Sequence, residues 1–328
     1  MKIAHPFIQL PLKFDAARMA AEIAAIPESE WRPHPQNFPG NSMLPLVAVN
    51  GEPENESFAG PMRPTPHLER CPYVQQAMAA VGVTVGRSRL MRLSGHAEVT
   101  QHADQGYYWV NRVRVHIPVV TQPSVRFECG GHAVNMAAGE CWIFDTWRLH
   151  RVINANDDQR IHLVMDTVGG EQFWNYVAAG RPQPGETPNG WNARNIGFDP
   201  DARAQLQLEN RNLPEVMTPW EVETHLTFLL GEAGAHAQLG AVQKATTDFI
   251  RDWRGLWAAH GDNAAAKPFY RRRLQTFMEA VKAPASQITM GNEINLMGAI
   301  LAMIGRVAVA ADAPPRAAAD AVVMFDRA

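Results

Sequence analysis

The segment Val99–Val119, VTQHADQGYYWVNRVRVHIPV, carries five ionisable side chains at even-numbered positions within stretches that read as β-strand: His102, Asp104, Arg112, Arg114 and His116. Successive residues of a strand point to opposite faces of a sheet, so side chains of one parity share a face. A solvated strand face explains this pattern, and so does an inward polar face that surrounds an ion. Residues elsewhere in the chain must decide between the two.

The region around this segment, from Val83 to Val168, consists of short runs of β-branched and aromatic residues with turn residues between them. Seven or eight short strands at this spacing predict an antiparallel barrel or sandwich rather than alternating strands and helices. Helical periodicity precedes it over residues 14–26, where Asp15 is a cap candidate, and over residues 72–80.

Beyond the predicted strands, residues 169–213 are dense in Gly, Pro and Asn, which predicts an irregular connector. Thr218, Pro219 and Glu221 then form the sequence signature of a capping box that opens a helix. Further helices are expected at about 238–259, 268–281 and 292–309. We therefore expect a β domain with N-terminal helices over 1–175, a connector over 176–215 and a helical domain over 216–328.

Composition narrows the class of protein. The chain has 328 residues, 46% of them hydrophobic, and a formal net charge of −3 without a basic block, which argues against nucleic acid as a partner. Its most apolar late segment, residues 294–305, is too short to span a bilayer, so no membrane association is expected. Three widely spaced cysteines indicate a reducing, cytoplasmic location. The helical part could form a homodimer.

His102 and Asp104 lie two residues apart, so on a strand both side chains can converge on one ion. An H-x-D pair alone is a weak signal. His150 would complete a 2-His-1-carboxylate triad, which leaves open positions on Fe(II) for a chelating substrate and oxygen.

Arg160 follows ten residues after His150, on the same strand face as His162. It is either a surface arginine, paired with a nearby acid, or a bidentate clamp for a carboxylate. Arg89 and Arg92 are further candidates for contact with a substrate carboxylate. The remaining polar residues have simpler interpretations: Arg112 as an edge or surface cation, His96, His132 and His162 as core or surface histidines, and Trp142 and Asp145 as structural residues.

Three blocks, HADQGYYWVNRVRVHIPV, GECWIFDTWRLHRVIN and RIHLVMD, together resemble the aspartyl/asparaginyl β-hydroxylase family of Fe(II)/2-oxoglutarate-dependent dioxygenases, over roughly Ser88 to Asp166. The resemblance implies an α+β protein with a double-stranded β-helix core, which is jelly-roll and cupin-like, with flanking helices and a C-terminal helical domain. It implies that the metal ligands and catalytic centre are His102, Asp104 and His150, and that the residues binding 2-oxoglutarate are Arg160, Arg114 and His116.

The family's namesake enzymes lack the carboxylate ligand, whereas this chain has Asp104 in that position. In this respect it is more similar to the free amino-acid hydroxylases of the family, such as the proline hydroxylases. The resemblance thus implies hydroxylation of an unactivated C–H bond of an amino acid, free or within a peptide, with Fe(II), 2-oxoglutarate and O2. The alternative is a non-catalytic cupin-like protein that binds a metal or a small carboxylate.

Overall fold

The computed structural model describes residues 1–311, which form two compact units. The first unit, called the β unit here, comprises Met1–Asp104 and Asn111–Asn210. The second, the helical unit, comprises Gln105–Val110 and, within the described chain, residues 211–311. Because the short segment Gln105–Val110 belongs to the helical unit, both units are discontinuous in sequence.

All strands of the described chain lie in the β unit. They are β1 (Phe7–Phe14), β2 (Arg32–Pro33), β3 (Asn41–Val49), β4 (Met62–Pro64), β5 (Thr84–Leu93), β6 (Glu98–His102), β7 (Val113–Val120), β8 (Arg126–Cys129), β9 (His132–Val134), β10 (Glu140–Phe144), β11 (His150–Ile153), β12 (Arg160–Gly169), β13 (Arg181–Gln183), β14 (Arg194–Ile196) and β15 (Gln207–Leu208).

These strands form two sheets. The larger sheet has the order β13-β1-β10-β7-β12-β5-β3-β2, with β14 beside β1, β15 beside β5 and β4 beside β3. The smaller sheet has the order β6-β11-β8-β9. From β5 to β12 the chain passes repeatedly between the sheets, and the pairs that it forms are antiparallel. This is a double-stranded β-helix, or jelly roll, within a mixed α+β protein, which confirms the predicted fold class.

The space between the two sheets is filled by aromatic side chains at its core. Phe127 of the smaller sheet lies edge-on to Phe7 at 5.6 Å and packs against Phe144 at 4.7 Å between ring centroids. Edge-to-face and tilted arrangements are favoured for such rings. On the outer face of the larger sheet, the odd-numbered residues of β7 pack in a second apolar cluster with residues of the N-terminal helices.

The helices of the described chain are α1 (Ala16–Ala24), α2 (Pro66–Glu69), α3 (Pro72–Ala80), α4 (Tyr107–Val110), α5 (Glu171–Ala178), α6 (Pro219–Glu232), α7 (Leu239–His260), α8 (Lys267–Ala285) and α9 (Leu296–Ile300). The predicted caps are confirmed: Asp15 accepts from the N–H of Arg18, and Thr218 accepts from the N–H of Glu221. The carboxylate of Glu221, the third residue of the predicted capping box, accepts a hydrogen bond from the Tyr107 hydroxyl at 2.6 Å. Within residues 1–311, no helix combines the length and hydrophobicity that a transmembrane span requires.

Two sequence expectations about helices are corrected. The predicted connector contains α5, whose Phe173 is fully buried. The predicted helix over 292–309 is much shorter, because Glu293 has a φ of +66° and Asn295 caps the helix that begins at Leu296. A left-handed residue cannot continue an α-helix. The helix then ends in a π-helical turn, Leu301–Gly305.

Candidate metal centre and anion pocket

The three predicted metal ligands lie together in the β unit. His102 ends β6 and His150 begins β11, and the two residues are directly paired in the antiparallel register, with ring centroids 4.2 Å apart. Asp104 lies just beyond β6, where its N–H donates to the carbonyl of Thr146 at 2.9 Å. One ligand atom from each of the three side chains lies within 4.8 Å of the others. The structure therefore brings together the residues that the H-x-D spacing and the distant histidine indicated.

Both imidazoles are oriented by backbone carbonyls. Nδ1 of His102 lies 2.7 Å from the carbonyl oxygen of Thr100, and Nδ1 of His150 lies 2.9 Å from that of Arg148. Because a carbonyl only accepts, each Nδ1 carries the proton and each Nε2 keeps a lone pair for a metal ion. Burial lowers the pKa of His150 to about 3, which keeps this ring neutral.

Asp104 supplies a buried carboxylate to this cluster. Burial raises the pKa of this carboxyl, but its neighbours, the Arg114 guanidinium first among them, outweigh burial and hold the pKa below its usual range. Its Oδ2 lies 3.3 Å from Nη1 of Arg114, yet it has no hydrogen-bond partner within the described residues. Two imidazole lone pairs and an incompletely satisfied carboxylate are the donor set of the facial triad, so these residues fit a divalent metal ion such as Fe(II).

Arg160 is the first residue of β12 and is only 2% exposed. Its Nε and Nη2 have no hydrogen-bond partner in the described chain, and burial lowers its pKa to about 9. Buried charges are normally paired, because the loss of hydration is otherwise uncompensated. This guanidinium is therefore suited to an anion from outside the protein, and it is not a surface arginine.

His116 of β7 and His162 of β12 lie on the same inner face as Arg160. Their Nδ1 atoms are 3.3 Å apart, and neither Nε2 has a hydrogen-bond partner among the described residues. Burial, followed by the charge of Arg160, lowers the pKa of both rings well below the ordinary value. His162 was interpreted from sequence as an ordinary core or surface histidine. His162 and Arg160 are two residues apart on β12, and this spacing was the signal in the sequence that both side chains face the same interior.

Arg114 and Arg112, two residues apart, have different environments. Arg114 lies between two carboxylates, with Nε 2.9 Å from Asp166 Oδ1 and Nη1 near Asp104. Arg112 is 5% exposed, and its guanidinium contacts both oxygens of Glu209 at 2.8 and 3.1 Å. The expectation that Arg112 is an edge or surface cation was wrong, because its partner comes from a distant part of the chain.

Asp145 has the structural role expected of it. It accepts hydrogen bonds from the N–H of Trp147 at 3.0 Å and from Nε of Arg148 at 2.9 Å. These bonds fix the turn between β10 and β11, and so they fix the carbonyl of Arg148 that orients His150. Trp142 is likewise structural, since its indole donates to Glu140 at 2.9 Å and its ring is buried between the sheets.

The jelly roll and the buried triad define the class of protein, a double-stranded β-helix with a candidate metal site. Residues 54–169 match the family model described as Aspartyl/Asparaginyl beta-hydroxylase. The match includes all six site residues predicted from the sequence. No curated protein matches the chain in a sequence search.

Three solved structures have folds similar to part of the chain. A prolyl-4-hydroxylase from Pseudomonas putida is 16% identical over 50% of this chain and 93% of its own, with a TM-score of 0.35. An oxidoreductase of the 2OG-Fe(II) oxygenase family from Burkholderia pseudomallei is 15% identical over 48% and 80%, with a TM-score of 0.33. HygX from Streptomyces hygroscopicus, solved with nickel and 2-oxoglutarate, is 10% identical over 51% and 84%, with a TM-score of 0.35.

Proposed function

We propose that this protein is an Fe(II)/2-oxoglutarate-dependent dioxygenase that hydroxylates an unactivated C–H bond of an amino acid, free or within a peptide. One observation carries the proposal: a His-Asp-His cluster with correctly oriented lone pairs shares the jelly-roll interior with a buried arginine that has no acidic partner among residues 1–311. A structural metal site would not need the second feature.

In this proposal His102, Asp104 and His150 hold Fe(II), which together with 2-oxoglutarate supplies the oxygen-activating chemistry. Arg160 binds the distal carboxylate of 2-oxoglutarate, because a guanidinium offers two parallel donors to a carboxylate. His116 adds a contact from the same face, and Arg114 supports both the cosubstrate and the orientation of Asp104.

In this proposal two phenyl rings shield one side of the candidate metal ligand His150 from water. The ring centroid of Phe144 lies 4.7 Å from that of His150, and Phe127 stacks on the same imidazole at 6.3 Å. Both phenyl rings are nearly fully buried. An apolar wall of this kind strengthens electrostatic interactions inside the site and limits side reactions with water.

The test is to incubate the purified protein with Fe(II), ascorbate and 2-oxoglutarate, and to measure succinate with and without panels of amino acids and peptides. We expect succinate formation coupled to a product heavier by about 16 Da, because one oxygen atom is inserted. Asp104→Ala and His150→Ala should abolish both signals. His132→Ala, at an exposed histidine, is the matched control and should retain them.

The competing function, a non-catalytic protein that binds a metal or a carboxylate, makes a different forecast. Such a protein would bind Fe(II) and 2-oxoglutarate without releasing succinate under any condition. That result, or activity unaffected by Asp104→Ala and His150→Ala, would exclude the hydroxylase.

A further inference from the structure

A second buried arginine, which has no acidic partner in the described part of the chain, lies on the inner face of the larger sheet. Arg89 of β5 is 7% exposed. In the register of the sheet, Val164 of β12 is paired with Arg89 on one side and with His116 on the other. Directly paired residues of antiparallel strands point to the same face. Arg89 therefore faces the same interior as the candidate cosubstrate pocket.

The carboxylates near Arg89 are engaged elsewhere. Asp166 contacts Arg114 at 2.9 Å, and Glu56 forms an ion pair with Arg32. Arg87 lies within 4.0 Å of both acids. Arg89 itself contacts the sulfur of Met43 at 3.5 Å, and no carboxylate of the described residues lies within ion-pairing distance of it. Burial, followed by the charges of Arg87 and Arg114, lowers its pKa to about 9.

Arg89 lies at a different position along the sheet from Arg160. Arg160 is paired with Leu93, four residues along β5 from Arg89, which separates the two backbone positions by roughly 14 Å. Arg89, Val164 and His116 lie side by side across three neighbouring strands. Arg114 is two residues from His116 on β7, and its guanidinium contacts the candidate metal ligand Asp104. The interior thus has one position for an anion at the start of β12 and another beside the candidate metal ligands.

Arg92, on the same strand, shows what a structural arginine looks like here. Its Nε donates to the hydroxyl of Ser42 at 2.8 Å, its Nη1 donates to Glu28 at 2.7 Å, and its guanidinium lies over the ring of Trp31 at 4.2 Å. These contacts satisfy its charge at the protein surface. The sequence suggested both Arg89 and Arg92 for contact with a substrate carboxylate. Within the described residues, Arg92 has a carboxylate partner and Arg89 does not.

We infer that Arg89 binds a carboxylate of the substrate, so that the protein acts on compounds carrying a carboxylate that reaches the metal centre. The proposed hydroxylase function supplies the chemistry for this inference. Three sources offer the group: the α-carboxylate of a free amino acid, the C-terminal carboxylate of a peptide, and an acidic side chain within a peptide. All three present the planar pair of oxygens that a guanidinium recognises.

The experiment measures binding without turnover. The protein is loaded anaerobically with Fe(II) and 2-oxoglutarate, and its melting temperature and calorimetric affinity are recorded against the twenty L-amino acids, their carboxamides, dipeptides, and capped dipeptides with or without an acidic side chain. We expect carboxylates to bind and the matching carboxamides not to bind. The class of compound that binds, whether free amino acid, dipeptide or capped acidic dipeptide, identifies the source of the carboxylate.

Three variants assign the effect to Arg89. Arg89→Gln should weaken binding of the carboxylate on the order of 10- to 100-fold, as expected for loss of a charged hydrogen-bond donor. Arg89→Lys should retain part of the affinity, and Arg92→Gln is the control that should leave it unchanged. Binding of 2-oxoglutarate should be unaffected in all three.

Equal binding of carboxylates and carboxamides to the wild-type protein would overturn the inference, and this comparison does not depend on whether a variant folds. Equal affinities in Arg89→Gln and Arg92→Gln would overturn it as well. Binding that depends on Arg89 without any succinate formation would leave the inference standing and refute the hydroxylase. Turnover of a substrate without a carboxylate would support the hydroxylase and refute the inference about Arg89.

Discussion

Replacement of Arg160 by methionine should make the protein more stable while it removes cosubstrate binding. The guanidinium is 2% exposed, and burial lowers its pKa from the ordinary arginine value to about 9. Since a tenfold change in a protonation equilibrium corresponds to about 1.4 kcal/mol, the buried charge costs at most about 5 kcal/mol in the free protein. Methionine keeps much of the apolar stem, and we expect a gain of about 2–4 kcal/mol at pH 7.

The sign of the pH dependence follows from the direction of the shift. The folded protein holds the Arg160 proton less tightly than the unfolded chain does, so the unfolded state binds more protons above about pH 9. The stability of the wild-type protein relative to Arg160→Met should therefore rise with pH through that range. The advantage of the variant should be full at pH 7 and smaller at pH 10.

The assay is urea denaturation of metal-free and cosubstrate-free protein at both pH values. Arg126→Met is the control, because this side chain is exposed and its ion pair with Glu128 should be worth less than about 1 kcal/mol. Addition of 2-oxoglutarate to the Fe(II)-loaded protein should stabilise the wild-type protein further but should not stabilise Fe(II)-loaded Arg160→Met. A folded Arg160→Met that is less stable than the wild-type protein at pH 7 would refute the reasoning.

Three further predictions concern other parts of the chain. His162→Leu should weaken 2-oxoglutarate binding about tenfold by calorimetry, because it removes the hydrogen-bond partner of His116, whereas His162→Asn should retain most of the affinity. Arg112→Leu should cost about 3–5 kcal/mol in urea denaturation, because it removes the guanidinium that contacts both carboxylate oxygens of the buried Glu209, and the double variant with Glu209→Leu should recover most of this loss. Thr218→Ala should lower the free energy of unfolding by about 1 kcal/mol through loss of the α6 cap, without changing activity.

Two of the three candidate metal ligands could be predicted from local periodicity, and the third, His150, from the order and spacing of the blocks that carry the family resemblance. A spacing of two residues aims His102 and Asp104 at the same side of the chain, and His150 pairs directly with His102 across the two strands. The caps at Asp15 and Thr218 could be found for the same reason, since a cap involves residues three apart. The alternation of β7 also correctly separated its polar inner face from its apolar outer face.

Features that depend on distant partners could not be predicted. The burial of Arg112 depends on Glu209, 97 residues away in a stretch that its composition marks as irregular. The difference between Arg89 and Arg92 depends on Glu28 and on the packing of β3 against β5. The proposed three-part division of the chain, a cytoplasmic location and dimerisation stay predictions.

The ion pair of Arg112 and Glu209 constrains how this protein can be truncated. The chain leaves the β unit after Asp104, returns at Asn111 and leaves again after Asn210. Arg112 stands one residue after the return and Glu209 one residue before the final exit, so their bidentate contact fastens two of the three crossing points to each other. A truncation that removes the helical unit must therefore keep both residues, and it must also replace Gln105–Val110 with a linker. The linker that replaces Gln105–Val110 would begin directly after Asp104, the carboxylate proposed to hold the metal.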